Sequence, residues 1–485
     1  MTLSSSQISP KFLEELKLFL PQEEVAKFVD VCFRPLKKSI RFVLHKWDVE
    51  WLKRYLESKG WKFTSSWFLD DDRFPEDIFY VDRDDTSIPL GNTFVHKAGY
   101  IYVQEVAAAL AARALDLKEN DLVLDMSAAP WGKATQIADY LLFLSKQKAG
   151  FVVANDVSKP RIKKMAYNVN RIGAYNIGLT AFNGFAFGKN LPEFFDHVLL
   201  DAPCSGEGTW YKLATALKFW HKEQIKKLMW TQFQLMVSAL KTLKVGGSFV
   251  YSTCTLNPYE NETNVARLLK QYRGVAELED IKFLKTDPGI AFVGEEKILD
   301  VDEAKKLRRL WPHRQGSWGF FIARFRKIGS LPIRWGEGLQ PKNPFKLDMS
   351  KALQERVKKY LANGWGIKLD QDAFFVASKE LVYITSKKFL ETKELIGFEK
   401  IWIPIIKRTR GYVRPLHQMG NILGGGAKKN VWGITDEQAQ QYALGKDLPA
   451  PEGFEDGAYI VLRRAWRGFS VGKISQGVVK NKMGM

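Results

Sequence analysis

The sequence contains little cysteine, and this scarcity limits the kinds of site that it can build. Its 485 residues include three cysteines, Cys32, Cys204 and Cys254, and no two of them form a CxxC pair. An odd number of cysteines without such pairs argues against a zinc site and against a disulfide framework, so no bound metal is expected. Free thiols are typical of a reducing compartment, which predicts a cytoplasmic protein.

Long apolar runs are also missing. No stretch approaches the ~18 consecutive apolar residues that a membrane-spanning helix needs. The N-terminus, MTLSSSQISPKFLEEL, is polar and has no apolar segment after a basic start, so it is not typical of a signal peptide.

Two nucleotide-binding motifs are absent. The GxGxxG pattern of dinucleotide-binding proteins does not occur after the first strand of the predicted sheet. A P-loop requires Ser or Thr directly after Gly132-Lys133, but Ala134 stands there. No cradle for a pyrophosphate is therefore predicted, and S-adenosylmethionine is a better candidate ligand than a dinucleotide.

Acidic residues are outnumbered by basic ones, 54 against 73, which gives a net charge of +19. The excess is densest in the last third of the chain. A basic surface suits a polyanion, because lysine and arginine side chains displace the counterions that surround phosphates. Nucleic acid is the expected partner, although a basic protein without such a partner remains an alternative. The 46% of hydrophobic residues predicts well-packed interiors.

The order of predicted elements indicates a doubly wound α/β fold. From about residue 98, strand-like and helix-like segments alternate, as in a mostly parallel sheet with helices on both faces. Residues 100–115, YIYVQEVAAALAARAL, are rich in residues that favour a helix, and one helix is predicted there. Four domains are predicted. They are an N-terminal α/β module (1–97), the α/β core (98–328), a small α+β linking module (329–410) and a C-terminal α+β region (411–485).

Polar residues follow successive strands of the predicted core. Asp125, Asp156, Asn183 and Asp201 each stand at the end of a strand, and Cys254 follows a fifth strand further along the chain. Ligands of parallel sheets bind at the C-terminal strand ends. Asp156 can accept hydrogen bonds from both ribose hydroxyls, and the Asn183 side-chain carbonyl can accept one from an adenine amino group.

Three segments carry a resemblance to a known family. DMSAAPWGKATQIA (125–138), LLDAPCSGEGT (199–209) and YSTCTLNPYENE (251–262) resemble the motifs of the RNA 5-methylcytosine methyltransferases of the NOL/NOP/Sun family. PLGNTFVHKAGYIYVQE (89–105) and the basic C-terminus are similar to its bacterial RsmF-type branch, which acts on 16S rRNA. The resemblance extends over nearly the whole chain. It implies a Rossmann-like methyltransferase core, S-adenosylmethionine as cofactor and RNA as partner.

The resemblance also implies roles for individual residues. Cys254 would be the nucleophile that adds to C6 of a cytosine, Cys204 would assist breakdown of the adduct, and Asp201 would hold the edge of the ring. Cys32 has no such flanking motif and is expected in a core. The implied cofactor-binding residues are Ser127, Ala128, Ala129, Pro130, Trp131, Gly132, Lys133, Asp156, Asn183 and Asp201.

The C-terminal segment resembles a PUA-like RNA-binding domain. Six of its basic residues are predicted phosphate contacts: Arg463, Arg464, Arg467, Lys473, Lys480 and Lys482. The protein is expected to be a monomer. The alternative for each of the six basic residues is a solvent-exposed position without an RNA contact.

The sequence departs from the family pattern at several positions, including Leu213-Ala214 after Lys212 and Val43-Leu44 in the N-terminal module. Trp131 stands where relatives usually have a small residue, and Asn183 replaces the usual Asp. The predicted activity is methyl transfer to cytosine C5, with 16S rRNA as the first substrate and tRNA as the second. An RNA-binding relative with impaired catalysis is the alternative from a different functional class.

Overall fold

The structure is a computed structural model, and it describes most of the chain. The described residues are 8–32, 34–129, 132–145, 148–210, 217–218, 220–332, 336, 338–339, 347–369, 373–400, 403–409 and 412–483. Their helices are Pro10–Leu16, Gln22–Cys32, Val49–Glu57, Phe94–Lys97, Val106–Arg113, Gly132–Leu144, Lys159–Ile172, Phe185–Asn190, Lys222–Thr242, Glu262–Gln271, Val301–Lys306, Pro312–Gln315, Lys351–Trp365, His417–Leu423 and Asp436–Ala443.

The strands of the described residues form several sheets. In chain order they are β1 (Ser39–Phe42), β2 (Trp61–Ser65), β3 (Ile78–Arg83), β4 (Ile101–Val103), β5 (Leu122–Asp125), β6 (Phe151–Asn155), β7 (Ile177–Thr180), β8 (Phe195–Asp201), β9 (Leu243–Thr253), β10 (Ala276–Glu279), β11 (Phe292–Val293), β12 (Glu296–Lys297), β13 (Arg308–Leu310), β14 (Phe320–Lys327), β15 (Ala373–Ser378), β16 (Leu381–Ser386), β17 (Ile403–Thr409), β18 (Tyr412–Pro415), β19 (Val431–Gly433), β20 (Leu448–Pro449), β21 (Tyr459–Arg464), β22 (Arg467–Ser475) and β23 (Val478–Lys480).

The central sheet has the strand order β10-β14-β9-β8-β5-β6-β7, with β13 paired to β14. Strands β9, β8, β5, β6 and β7 are parallel, and β14 is antiparallel to β9. β5 and β6 are buried along their whole length, as expected for strands covered on both faces. The predicted α/β core with a Rossmann-like, mostly parallel sheet is confirmed.

The chain changes direction in the sheet between β5 and β8. From β5 it proceeds to β6 and β7 on one side, and it then returns to form β8 and β9 on the other side. A ligand crevice is expected where the strand order reverses, at the C-terminal ends of the strands. The segments after β5 and β8 carry two of the three motifs, and β9 delivers Cys254 directly beside β8.

Four further sheets lie outside the central sheet. The strands β2-β3-β1-β4 form an antiparallel N-terminal sheet, and β11 and β12 form a hairpin. The strands β15-β16-β17-β18 form a third sheet, and β19-β21-β22-β23-β20 form a fourth at the C-terminus. These sheets agree with α/β and α+β regions on either side of the core. The domain limits and the PUA-like assignment of the C-terminal region stay predictions.

Residues 100–115 do not form one helix, so this expectation was wrong. Ile101–Val103 form β4, which pairs with β1 through Ile40↔Val103, and a helix begins only at Val106. Two of the three strand residues are β-branched and the third is aromatic, and such residues pack well on a half-buried sheet. Strand pairing therefore overrides the helical pattern at this end. As a result, β4 connects the N-terminal sheet directly to the core.

The N-terminal helices cover the segment that follows the Cys204 motif. Phe12 and Phe28 pack against Trp220 and Trp210 respectively, with ring centroids 6.1 and 5.8 Å apart. The backbone N–H of Ser9 donates to the carbonyl of Leu217 at 3.0 Å. Cys32 is buried in this layer, as expected of a core cysteine. Among the described residues, no helix has the length and apolar character needed to cross a bilayer.

Candidate active site

Two thiols lie side by side at the C-terminal ends of neighbouring strands. β8 ends at Asp201 and β9 ends at Thr253, so the two cysteine motifs leave the sheet at the same edge. The Sγ atoms of Cys204 and Cys254 are 3.4 Å apart, and both side chains are half-buried. The contact with Cys254 and the burial of the site raise the pKa of Cys204 well above its usual value. Cys204 is therefore a neutral thiol at neutral pH.

A buried carboxylate holds the two cysteine loops together. Oε2 of Glu260 accepts hydrogen bonds from the backbone N–H of Ser205 at 3.1 Å and from Nε2 of Gln232 at 2.6 Å. Its other oxygen lies 3.3 Å from the Thr255 hydroxyl, whose single proton it shares with Glu207. Ser205 follows Cys204 and Thr255 follows Cys254, so one side chain fixes both loops. Burial raises the pKa of Glu260.

A second buried acid lies beside the first. Oε2 of Glu207 accepts from the Thr255 hydroxyl at 3.0 Å and from the Leu256 N–H at 3.1 Å, and Oε1 accepts from Nε1 of Trp220 at 2.6 Å. Burial, reinforced by the neighbouring Glu260, raises the pKa of Glu207 to about 7. Both glutamates belong to the cysteine motifs, but the sequence offered no signal that they form one network.

Asp201 is held in place by a cation and a hydroxyl. Nζ of Lys133 lies 2.6 Å from its Oδ2, and the hydroxyl of Ser252 donates to its Oδ1 at 2.9 Å. Lys133 is the second residue of the helix Gly132–Leu144, which begins after the β5 motif. Burial tends to lower the pKa of Lys133, but the Asp201 carboxylate outweighs it and the net pKa is raised. Lys133 is thus a cation that joins the predicted cofactor loop to the predicted base-binding acid.

Asp125 is a buried carboxyl group at the end of β5. It is 1% exposed, and neither of its carboxylate oxygens meets the geometry of a hydrogen bond, although the backbone N–H of Ser127 is close enough to lower its pKa. Burial raises its pKa to about 8, although the nearby Lys133 opposes this shift. A buried carboxylate without a partner is costly, so this position is suited to a ligand that brings a cation or a donor. The sequence placed Asp125 at a strand end but did not identify it as a site residue.

The remaining predicted cofactor residues surround the ends of β5 to β7. Asp156 is buried, and its Oδ1 accepts from the Ser158 N–H at 2.8 Å. Asn183 is exposed, and its Oδ1 accepts from the Phe185 N–H at 3.1 Å. Ser127, Ala128 and Ala129 lie on the β5 loop together with Gly132, whereas Pro130 and Trp131 lie outside the described residues.

Asn155 is a loop-fixing residue that sequence reasoning missed. It is buried at the end of β6, and its side-chain amide donates to the carbonyls of Met126 at 3.1 Å and Phe182 at 2.8 Å. Its carbonyl oxygen accepts from the Phe182 N–H at 2.8 Å. Asn155 therefore joins the loops after β5 and β7. The two loops are fixed before any ligand binds.

These residues fit the chemical groups of S-adenosylmethionine. The buried Asp125, when ionised, can receive a positively charged amino group, and Oδ2 of Asp156 makes no backbone hydrogen bond but lies 3.7 Å from a guanidinium nitrogen of Arg161. The small residues Ala128 and Ala129 allow close approach of a ligand to the loop backbone. This edge of the sheet thus combines hydrogen-bonding groups suited to the cofactor with two adjacent thiols.

Two of the predicted phosphate-binding arginines are engaged within the fold. Arg463 donates to the carbonyls of Gly424 at 3.0 Å and Gly425 at 2.9 Å. Nε of Arg464 is paired with Asp436. Their guanidinium groups hold the C-terminal region together, and the phosphate contacts assigned to them remain predictions.

Comparison with known proteins gives consistent results. The family model described as 16S rRNA methyltransferase RsmB/F matches residues 112–326. A ribosomal RNA small subunit methyltransferase F from Vibrio parahaemolyticus is 33% identical over 94% of this chain and 92% of its own length. The protein of the same name from a Shewanella species is 34% identical over 91% of this chain and 89% of its own length.

The structural comparison points the same way. A methyltransferase homologue from Pyrococcus horikoshii has 29% sequence identity and a TM-score of 0.56, covering 67% of this chain and 100% of its own. The Vibrio and Shewanella proteins match 94% and 91% of this chain, so the sequence similarity extends beyond the core and into both flanking regions.

Proposed function

Because the chain belongs to the 16S rRNA methyltransferase RsmB/F family, we propose that it transfers a methyl group from S-adenosylmethionine to C5 of a cytosine in 16S rRNA. The observation that carries the proposal is the 3.4 Å distance between the two thiols, next to the Lys133–Asp201 pair. Methylation at C5 needs a nucleophile at C6, because C5 of cytosine is by itself a poor nucleophile. A pair of adjacent thiols can serve both addition and release.

Cys254 adds as a thiolate to C6 of the cytosine, and a carbon–sulfur bond forms there. The electron pair of the C5–C6 double bond moves toward C5, which becomes nucleophilic. Asp201 holds the ring edge and shares a proton with it as negative charge develops there, and the ammonium group of Lys133, 2.6 Å from Asp201, offsets that charge. S-adenosylmethionine, when bound, supplies an electrophilic methyl group to C5.

The adduct then has to break down. The C5–H bond breaks and its proton passes to water, the freed electron pair re-forms the C5–C6 double bond, and the C6–S bond breaks so that Cys254 departs as a thiolate. Cys204 assists this step, and its Sγ atom is within contact of Cys254. Glu260 keeps both loops in register throughout because it is bonded to each of them.

Methyl transfer to purified RNA tests the proposal. The protein is incubated with methyl-labelled S-adenosylmethionine and with small ribosomal subunits, free 16S rRNA or tRNA, and the products are mapped by bisulfite sequencing. We expect a single cytosine in 16S rRNA to be methylated. Preferential methylation of tRNA would assign the rival substrate, and no binding of S-adenosylmethionine at millimolar concentration would overturn the enzyme assignment.

Variants of the cysteines test the covalent mechanism. Cys254→Ala should give no methylated product, whereas Cys204→Ala should accumulate an RNA–protein complex that survives denaturing electrophoresis. Cys32→Ala is the matched control, because Cys32 is buried in the N-terminal helical layer, and it should leave methyl transfer unchanged. Free RNA alone with Cys204→Ala would contradict the roles assigned to the two thiols.

A further inference from the structure

A cavity of about 300 Å³ lies where the N-terminal sheet, the core, the third sheet and the C-terminal region meet. We call it the junction pocket. The basic side chains that line it come from different parts of the chain: His45, Lys46, Lys368 and Arg467. None of the described residues that line it is acidic. The pocket is therefore suited to an anionic ligand.

The cations of this region lack a matching number of acids. Nζ of Lys46 is buried and donates to the carbonyls of Ala98 at 2.9 Å and Arg171 at 3.2 Å, and to Oδ1 of Asn421 at 2.7 Å. All three acceptors are uncharged. Burial and the nearby Arg171 lower the pKa of Lys46 well below its usual value. A bound anion would favour the protonated form of Lys46, which its uncharged partners do little to stabilise.

Arg467 is the residue of the pocket with an unused donor. Its Nε atom is buried and has no hydrogen-bond partner among the described residues. Burial lowers the pKa of its guanidinium group. Asp139, which contacts the pocket residue His45, is already bonded to His45 at 2.7 Å and to Arg41 at 2.5 Å. The guanidinium group of Arg467 has no ion pair among the described residues, and Arg467 lines the pocket, so this group can bind an anion there.

An exposed aromatic side chain stands beside the pocket. Trp466 precedes Arg467 at the tip of the β21–β22 hairpin and is 47% exposed. Its inner edge rests on Trp51 and Trp47, with ring centroids 4.6 and 5.3 Å apart. These contacts hold the indole rigidly while much of its surface remains open. A rigid aromatic surface next to basic groups is the common arrangement for binding unpaired bases of RNA.

The junction pocket is connected to the candidate active site by one helix. Leu142 lines the pocket, and Lys133 lies near the opposite end of the same helix, Gly132–Leu144. Nine residues separate them, which corresponds to about 14 Å along the helix axis. One RNA strand can therefore reach both places.

We infer that the junction pocket binds a backbone phosphate of the RNA strand and that Trp466 stacks on an unpaired base next to that phosphate. The inference rests on the proposed function, because it requires an RNA substrate. The site is distinct from the cysteine pair, and its role is to anchor the strand while the target cytosine occupies the active site. Its residues come from several regions of the chain, so it forms only when those regions are docked together.

Three variants test the inference: Trp466→Ala, Lys368→Gln and Arg467→Gln. RNA affinity is measured for each with free 16S rRNA at several salt concentrations, and each variant is checked by thermal unfolding and by titration with S-adenosylmethionine. Trp466→Ala should weaken binding about tenfold or more through the lost base stacking. Lys368→Gln and Arg467→Gln should each reduce the slope of log affinity against log salt by about 1, the value for one lost phosphate contact.

Lys446→Gln is the matched control, because Lys446 is an exposed lysine of the same C-terminal region that does not line the pocket. It should keep both the affinity and the salt slope. Trp466 and Lys368 are exposed, so their variants remain informative if Arg467→Gln does not fold. Wild-type RNA affinity in Trp466→Ala and Lys368→Gln, or an equal loss in Lys446→Gln, would overturn the inference.

Two further measurements distinguish an RNA phosphate from free phosphate, and anchoring from catalysis. Tight binding of inorganic phosphate, with unchanged RNA affinity in the pocket variants, would assign the pocket to a free phosphate and contradict the RNA inference. Wild-type protein that binds RNA through the pocket but transfers no methyl group would count against the proposed function alone. Variants with lost RNA affinity and normal binding of S-adenosylmethionine would support the anchoring role.

Discussion

The backbone N–H of Ser205 donates a 3.1 Å hydrogen bond to Oε2 of Glu260. These residues are 55 positions apart, and they belong to different cysteine motifs. The bond, together with the contact between the other Glu260 oxygen and Thr255, makes the separation of the two thiols a property of the folded protein rather than of a bound substrate. The geometry for catalysis is therefore prepared in advance.

The first prediction concerns Glu260→Ala. This change leaves the Ser205 N–H and the Gln232 amide without their buried acceptor, at a cost of about 1–3 kcal/mol for each unsatisfied donor. We expect a lower free energy of unfolding and a large loss of methyl transfer, because both cysteine loops lose their common anchor. Denaturant unfolding and single-turnover methyl transfer measure the two effects.

Glu260→Gln is the matched variant. Its amide oxygen can still accept from Ser205 and Gln232, and its NH₂ group can donate to the Thr255 hydroxyl, which itself donates to Glu207. Stability and activity should therefore stay close to those of the wild type. If Glu260→Ala kept full activity, the anchoring role would be wrong.

The second prediction uses Trp220 as a reporter of Glu207. Nε1 of Trp220 donates to Oε1 of Glu207 at 2.6 Å, and burial raises the pKa of that carboxyl group to about 7. Because ionisation strengthens the hydrogen bond to the indole, Trp220 fluorescence should change with a midpoint near pH 7. Subtraction of a Trp220→Phe spectrum isolates this signal from the other tryptophans. In Glu207→Gln the pH-dependent change should disappear.

The same shift predicts a stability effect with a defined sign. The folded-state pKa of Glu207 lies above the unfolded value, so the folded protein binds more protons between about pH 4.5 and 7. This carboxyl group therefore reduces the stability as the pH rises through that window, by up to about 1.4 kcal/mol per pH unit. Between about pH 5 and pH 7, the unfolding free energy should therefore fall less in Glu207→Gln than in the wild type.

The third prediction separates stability from cofactor binding at Asp125. Its pKa of about 8 means that the buried carboxyl group destabilises the ligand-free fold increasingly as the pH rises from about 4 to 8. Asp125→Asn should therefore raise the melting temperature of the ligand-free protein more at about pH 8 than at about pH 5. The same change should weaken S-adenosylmethionine binding, because the negative charge that would pair with a cationic group is lost.

Calorimetric titration and thermal unfolding of the same Asp125→Asn preparation check both effects. Asp121→Asn is a suitable comparison, since Asp121 lies at the opposite end of β5 and outside the predicted cofactor site. Its effect on cofactor affinity should be small. Equal losses of affinity in both variants would argue against a specific role for Asp125.

The parts of the fold that follow from local pattern were predictable from the sequence. The strands at Leu122–Asp125 and Phe195–Asp201 are short apolar segments that end in an acid, and the hairpin of β21 and β22 shows its turn in the sequence. The adjacency of Cys204 and Cys254 could be expected because parallel strands end at one edge of a sheet. The capping box of Thr435 and Gln438 at the start of the helix Asp436–Ala443 is likewise a local pattern of the sequence.

The parts that depend on distant partners were not predictable. Ile101–Val103 form a strand only because β1 is there to receive them. Trp466 gains its rigid position from Trp47 and Trp51, which lie near the other end of the chain. The buried acids Glu207 and Glu260 show the same limit, because their motif letters do not reveal that they share Thr255. Such roles arise from tertiary packing and have no local signal.

The fourth prediction concerns the close approach of two glycines beneath the Cys254 loop. The N–H of Gly208 donates to the Cys254 carbonyl at 2.8 Å, and its own carbonyl accepts from the Gly319 N–H at 3.2 Å. A Cβ atom at Gly208 would lie 2.2 Å from the carbonyl oxygen of Gly319, which is backbone and cannot rotate away. Gly208→Ala should therefore displace the Cys254 loop, lower the unfolding free energy by about 1–3 kcal/mol and reduce methyl transfer.

Gly364→Ala is the control for the same substitution with the opposite expected sign. Gly364 lies within the helix Lys351–Trp365, and a Cβ atom there would have no neighbour within 4 Å. Because alanine favours a helix over glycine by up to about 1 kcal/mol, this variant should be slightly more stable and fully active. Denaturant unfolding and methyl-transfer rates compare the two variants directly. A Gly208→Ala protein with wild-type activity would show that the Cys254 loop tolerates displacement. Methyl transfer would then not depend on the exact distance between the two thiols.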